Sequence, residues 1–206
     1  MPFDTTTVLR EPWDVDKRLP ELGLTRIGLL RVRATAILAA RNTTPDHCAN
    51  AFGTFAYQHG SWALRDVFCG KEWRLERPNN VEAIWNESLK IRVIFSNVDI
   101  ACDDEQEPTP RSEKGSGAER VCVGNLFGEL PRYIVQQFAG DATFYLMVDS
   151  KGAAELSRPV ISGGTFSAYV ERIYLSDGKD MSDDRLDLTG GDEVADNFDP
   201  QVARKK

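Results

Sequence analysis

The hydrophobic pattern is strongest in residues 89–102, LKIRVIFSNVDIAC, which we predict as a central β-strand. Strand side chains alternate between two faces. One face is apolar from Ile91 to Phe95, but beyond Ser96 the apolar residues fall on the opposite face. Either a β-bulge changes the register there or this part of the strand is buried on both faces. In the second case Asp99 is a carboxylate in apolar surroundings, which must be paired, hydrogen-bonded or protonated. Asp99 is therefore a candidate site residue, or a structural acid that holds a loop.

Helical spacing of apolar residues dominates the N-terminal third of the chain. Residues 21–41 carry Ile, Leu and Ala at helical intervals, which predicts a helix. Two short helices are predicted at 45–51 and 61–68, because Gly53 and the His59-Gly60 pair interrupt the pattern between them. The three prolines among residues 1–20 favour an extended arm.

Short β-prone runs separated by turns dominate the C-terminal half. Strands are predicted at 143–148, 155–161 and 165–175, and closely spaced strands pair antiparallel. Pro159 favours an edge position for the second of them. The remaining predictions are a strand at 71–77, a helical turn at 81–85, a strand at 120–123 and a helix at 130–139.

These elements predict an α+β fold, in which N-terminal helices pack on a mostly antiparallel sheet. The 206 residues are enough for one domain and a tail. We divide the chain into an extended arm at 1–20, a single α+β domain at 21–176 and an acidic, flexible tail at 177–206. Residues 103–119 form a long polar loop within the domain, and loops of that length are usually functional or disordered.

The formal net charge of −7 is concentrated in the tail, because residues 177–199 hold nine acidic residues against two basic ones. Residues 1–100 are nearly neutral, with 13 basic and 12 acidic residues, which is not typical of a basic nucleic-acid-binding domain. No apolar run is long enough to span a bilayer, and the first residues do not form a secretory signal. We therefore expect a cytoplasmic protein that does not contact membranes.

No cofactor or metal is predicted from the motifs. The four cysteines form no CxxC pair, and Lys114-Gly-Ser-Gly lacks the spacing of a phosphate-binding P-loop. The tail does not match a calcium-binding loop, and the chain has no Gly-x-Ser-x-Gly nucleophile motif.

One pair of residues suggests enzymatic chemistry. Asp149-x-Lys151 follows a predicted buried strand and is similar to half of the restriction-endonuclease-like signature. With Asp99 or Asp141 as a second acid, these residues would form the site of a metal-dependent nuclease or phosphodiesterase. Against this hypothesis, residues 149–152 have the composition of a hairpin turn.

The leading hypothesis is a non-catalytic protein-interaction subunit: an adaptor, a structural protein or an inhibitor in a larger assembly. Its partner is expected to be another protein or a second copy of this chain. The third hypothesis is a nucleic-acid-binding subunit that uses Arg26, Arg33, Arg111 and Lys114. The candidate partner-binding residues lie in the polar loop and in the acidic-hydrophobic tail: Arg111, Lys114, Asp183, Asp184, Asp187 and Phe198.

Overall fold

The chain folds around a seven-stranded mixed sheet. The structure is a computed structural model that describes residues 6–122 and 141–181. The strands are β1 (Thr7–Leu9), β2 (Trp73–Glu76), β3 (Ala83–Asn86), β4 (Ile91–Asn97), β5 (Ala142–Val148), β6 (Ala154–Ser162) and β7 (Thr165–Ser176).

The strand order is β1-β7-β6-β5-β4-β3-β2. The hairpin pairs β2/β3, β3/β4, β5/β6 and β6/β7 are antiparallel, whereas β4/β5 and β1/β7 are parallel. Among the described residues the sheet is thus mostly antiparallel, and the predicted α+β class is confirmed.

Among the described residues, three helices cover one face of the sheet, and a fourth helix packs on the other. The helices are α1 (Pro12–Glu21), α2 (Arg26–Arg41), α3 (Ala51–Phe68) and α4 (Ser116–Val121). The core beneath α1 to α3 contains Ile91, Val93 and Phe95 of β4. The core on the α4 side contains Ile94 and Val98. Both faces of β4 are therefore buried, and its pairing with β5 is continuous, so no bulge changes its register.

The prediction of an extended arm at 1–20 is wrong for its second half. Of the described residues of this arm, Thr7–Leu9 form the extended strand β1, and α1 begins at Pro12. A proline fits the first turn of a helix because the N–H group it lacks would have no helical partner there. Pro20 lies in the last turn, and burial of Val15 and Leu19 against the sheet favours the helix. The predicted helix at 21–41 is shorter than expected, because α2 starts at Arg26.

The helix predicted at 61–68 is the second half of the longer helix α3, whereas the helix predicted at 45–51 does not form, because residues 45–50 are not helical. Gly60 serves packing rather than a turn. A Cβ atom at this position would lie 2.5 Å from the ring of Phe95 in β4, so glycine lets α3 approach the sheet closely. Tertiary packing here outweighs the low helix propensity of glycine.

Three further local predictions are wrong. Residues 83–86 form a strand instead of a helical turn, because Ala83 to Asn86 pair with both β2 and β4. Residues 116–121 form α4, so part of the predicted polar loop is helical and the described part of the strand predicted at 120–123 is not a strand. Pro159 lies in β6, an interior strand, at one of its register shifts. A bulge can accommodate a proline inside a sheet because the regular hydrogen-bond ladder is interrupted there.

The first residues of the predicted tail belong to the fold. Met181 is buried in the main core, and Asp180 forms an ion pair with Arg33 of α2. The predicted helix at 130–139 and the tail residues Asp183, Asp184, Asp187 and Phe198 lie outside the described residues.

Candidate functional site

A cleft opens where the parallel strands β4 and β5 end. Asn97 and Val148, the last residues of these strands, are paired in the sheet. Ligands of open sheets often bind beyond the carboxyl ends of parallel strands. The start of α3 and residues 109–114 enclose the space beyond Asn97, and the cleft has a volume of about 370 Å³.

Hydrogen bonds from β4 hold both walls of the cleft in place. The side-chain amide of Asn97 donates to the carbonyl of Gly53 in the first turn of α3, at 2.7 Å. The backbone carbonyl of Asn97 accepts from the N–H group of Arg111, at 3.2 Å. A β-bridge between Val98 and Pro110 further attaches the 109–114 segment to the end of β4.

Lys114 reaches back from this segment into the cleft. Its amine donates a hydrogen bond to the hydroxyl of Ser96, at 2.8 Å. The amine also lies 5.6 Å from the ring centre of Tyr145 and 5.4 Å from that of Phe166. Burial lowers the pKa of Lys114 to about 8, because a charged amine is poorly solvated in these surroundings.

The cleft carries positive charge without acidic residues to balance it. Arg111 and Lys114 line it, and none of the other described residues that line it is acidic. Among the described residues, no carboxylate forms an ion pair with either side chain. Asp149 borders a separate and much smaller cavity on the other side of Asn97 and Arg111.

Two buried polar groups lie under Lys114. The hydroxyl of Tyr145 is buried without a well-aligned partner among the described residues. The thiol of Cys122 is close enough to interact with this hydroxyl. Burial raises the pKa of Tyr145, and it raises the pKa of Cys122 to about 12. Both groups are therefore neutral at pH 7 and do not balance the charge of Lys114.

This arrangement is suited to binding an anion. Desolvation strengthens the attraction between a buried cation and an anionic ligand, and a ligand would supply the missing counter-charge. The first N–H groups of α3, which lack partners within the helix, also favour negative charge near Gly53. The Ser96 hydroxyl accepts from the Lys114 amine and donates to the backbone carbonyl of Asn97, at 3.3 Å, and Ser96 is only 1 % exposed. An electrophile therefore has no open path to the Ser96 hydroxyl, and the geometry favours binding over nucleophilic catalysis.

The residues of the nuclease hypothesis hold local loops. The carboxylate of Asp99 accepts hydrogen bonds from the backbone and the side chain of Thr109. Partial burial would raise the pKa of Asp99, but these hydrogen bonds outweigh it and lower that pKa. One oxygen of Asp149 accepts from the N–H groups of residues 151–153, each at 2.9 Å. The described residues contain no group of three His, Cys, Asp or Glu side chains that could hold a metal. The nuclease stays a prediction without support from these contacts.

The basic residues predicted to bind partners are divided by the fold. Arg111 and Lys114 share the cleft, as described above. Arg33 is only 3 % exposed, and its guanidinium binds Asp180 at 2.6 Å, so it cannot reach a nucleic acid. Arg26 donates to the backbone carbonyl of Leu175, at 2.7 Å.

Sequence reasoning missed the roles of Ser96 and Tyr57, which also line the cleft. Ser96 ends an apolar run, and Tyr57 falls between the two predicted short helices, in a segment to which the pattern assigned no element. No local motif marks either residue, because the cleft is assembled from three segments that are distant in the sequence.

Comparison of this chain with protein-family models, with curated proteins and with solved structures gave no match. Within the described residues, no helix has the length and the apolar character needed to cross a bilayer. The geometry of the cleft is therefore the basis for a functional proposal.

Proposed function

We propose that this protein binds an anionic ligand in the cleft formed by Arg111, Ser96 and Lys114. The observation that carries the proposal is the partly buried amine of Lys114, which has a hydroxyl and two aromatic rings around it but no described carboxylate partner. Buried charges in proteins are normally paired. A bound anion would pair the charge of Lys114.

Arg111 adds to the proposal because it supplies a second positive charge at the mouth of the cleft. Its side chain is exposed, so it can contact a ligand that is still partly solvated. A guanidinium binds phosphate or carboxylate groups through two parallel hydrogen bonds. The cleft thus offers one buried and one exposed cation to the same ligand.

Calorimetric titration with inorganic phosphate, at constant ionic strength and pH 7, tests this proposal. Phosphate should bind the wild-type protein at a single site. Lys114→Met should weaken binding at least tenfold, because it removes the buried charge and keeps an unbranched side chain of similar length. Arg111→Gln should weaken binding by a smaller factor. Lys71→Met removes an exposed lysine outside the cleft and serves as the matched control.

The proposal fails if phosphate, sulfate and acetate all show no binding to the wild-type protein. It also fails if Lys71→Met and Lys114→Met weaken binding equally, because binding would then depend only on the net charge of the protein.

A second candidate function is the protein-interaction subunit expected from the sequence. The outer surface of α2 and α3 exposes three large apolar side chains: Ile27 (84 %), Leu38 (53 %) and Trp62 (56 %). The exposed Arg31–Asp66 ion pair connects the two helices, and Ile27 and Trp62 each lie one helical turn from it. Clusters of exposed apolar side chains often mark protein-binding surfaces.

Sedimentation equilibrium tests whether this surface binds a second copy of the chain. Self-association that disappears in the Trp62→Ser variant, with unchanged folding by circular dichroism, would support the interaction function. A wild-type protein that remains monomeric over a 100-fold range of protein concentration would exclude self-association through this surface.

A further inference from the structure

One wall of the cleft is aromatic. Tyr57 lines the cleft and is 40 % exposed, although a large ring on a helix is usually covered. It lies one turn after Gly53 and Thr54, so the same side of α3 supplies all three residues. Tyr57 and Lys114 line the same cleft, so an aromatic ring and a cation are offered to one ligand.

Unused amide groups lie beside this ring. The side chain of Asn50 precedes α3 but does not cap it. The exposed side chain of Gln58 forms no hydrogen bond with a described residue, and both residues line the cleft. A carboxamide has both donors and acceptors, which match the edges of nucleobases.

We propose that the anionic ligand is a nucleotide, with its phosphate at Lys114 and Arg111 and its base stacked on Tyr57. The proposal rests on the function proposed above and names the class of ligand. Aromatic rings beside cationic groups are a common way to hold unpaired bases and their phosphates. The volume of about 370 Å³ falls within the range of roughly 300–1,000 Å³ that is typical of small-molecule sites.

Titrations with three probes separate the phosphate from the base. Inorganic phosphate measures the cationic end alone, ribose 5-phosphate adds the sugar, and adenosine 5′-monophosphate adds the base. Adenosine monophosphate should bind about tenfold more tightly than ribose 5-phosphate, because one stacked base typically contributes a factor of that order. A short single strand with a 5′-phosphate is the fourth probe, and it distinguishes a free nucleotide from the end of a nucleic acid.

Variants of Tyr57 provide the decisive comparison. Tyr57→Leu should reduce the affinity for adenosine monophosphate to that for ribose 5-phosphate and should leave inorganic phosphate binding unchanged. Tyr57→Phe keeps the ring and should bind adenosine monophosphate with nearly the affinity of the wild-type protein. Trp13→Leu removes an exposed aromatic residue outside the cleft and is the matched control.

The possible outcomes separate this inference from the proposed function. Phosphate binding that depends on Lys114, with no gain from the base or no effect of Tyr57→Leu, would overturn the nucleotide proposal alone. A complete lack of anion binding would overturn both proposals. Equal binding of the free nucleotide and the 5′-phosphorylated strand would support the nucleotide proposal and show that one nucleotide is the recognised unit.

Discussion

Replacement of Lys114 by methionine should stabilise the protein at neutral pH while it abolishes anion binding. Lys114 is mostly buried, and its amine faces Tyr145, Phe166 and Ser96 instead of an acid. Methionine has a similar length and no charge, so it fills the same space without the cost of burying an ammonium group. A site that needs an unfavourable buried charge for its function typically gives up stability for it.

The pKa of Lys114 sets the size of this effect. Burial lowers the pKa from its ordinary value of 10.5 to about 8. Each pKa unit corresponds to about 1.4 kcal/mol, so burial of the protonated amine costs the folded state about 3 kcal/mol as an upper value. The cation–π contacts with the two rings offset about 1 to 2 kcal/mol of this. We therefore expect Lys114→Met to raise the free energy of unfolding by about 1 to 2 kcal/mol at pH 7.

The effect should depend on pH in a defined direction. Between about pH 8 and pH 10.5 the unfolded chain holds a proton on Lys114 that the folded chain has lost. The stability of the wild-type protein therefore rises with pH in this window, relative to that of the variant. Urea denaturation at pH 7 and at pH 10 measures both proteins, and the advantage of the variant should disappear at the higher pH. Other groups that titrate in this range contribute equally to the stability of both proteins, so their contributions cancel in the difference.

Two results would refute this reasoning. One is a variant that is less stable than the wild type at pH 7, which would mean that Lys114 has a stabilising partner. The other is a stability difference that stays constant from pH 7 to pH 10, because the pKa of Lys114 would then be unperturbed. Lys71→Met, at an exposed position outside the cleft, is the matched control for the loss of a lysine charge.

Three further predictions concern the same fold and cleft. The affinity for sulfate should fall as the pH rises from 7 to 9, because Lys114 loses its proton near pH 8 whereas sulfate keeps its charge. Calorimetry that shows a constant affinity between these pH values would contradict this prediction. Gly60→Ala should destabilise the protein by about 1 to 3 kcal/mol in urea denaturation, because the new methyl group meets the ring of Phe95, and an unchanged midpoint would disprove that close contact. Arg172→Met should lower the free energy of unfolding in urea by about 3 to 5 kcal/mol, because the fully buried carboxylate of Glu155 loses the guanidinium that lies 2.8 Å from it. The double variant Arg172→Met, Glu155→Gln should recover part of this loss, because it also removes the unpaired charge.

The sequence identified those elements that have a strong local signal. The helix at 26–41 and the strands at 91–97, 142–148, 154–162 and 165–176 were all predicted, with ends that differ from the observed ones by at most five residues. Each of these segments has an apolar pattern of clear period, and tight turns separate the last three. The tight turn at 149–152 was also predicted correctly, since Asp149 accepts the backbone N–H groups of its own turn.

The sequence did not determine elements whose conformation depends on distant residues. The helix at 51–68 contains two glycines that weaken the local signal, and it is continuous because Gly60 packs against Phe95 of β4. The short strand at 83–86 is extended because two neighbouring strands pair with it. Propensity describes a residue and its immediate neighbours, so it cannot include such contacts.

The candidate site also combines features that the sequence determines with features that only the tertiary structure determines. The sequence singled out Arg111 and Lys114 as charged residues of a polar segment, but it grouped them with Arg33, which the fold buries against Asp180. It also favoured Asp99, which the fold uses to hold a loop. Residue types and charge were determined by the sequence. The tertiary structure alone decided which charges share a cleft, because contacts with the end of β4 bring the start of α3 and residues 109–114 together there, where burial lowers the pKa of one lysine.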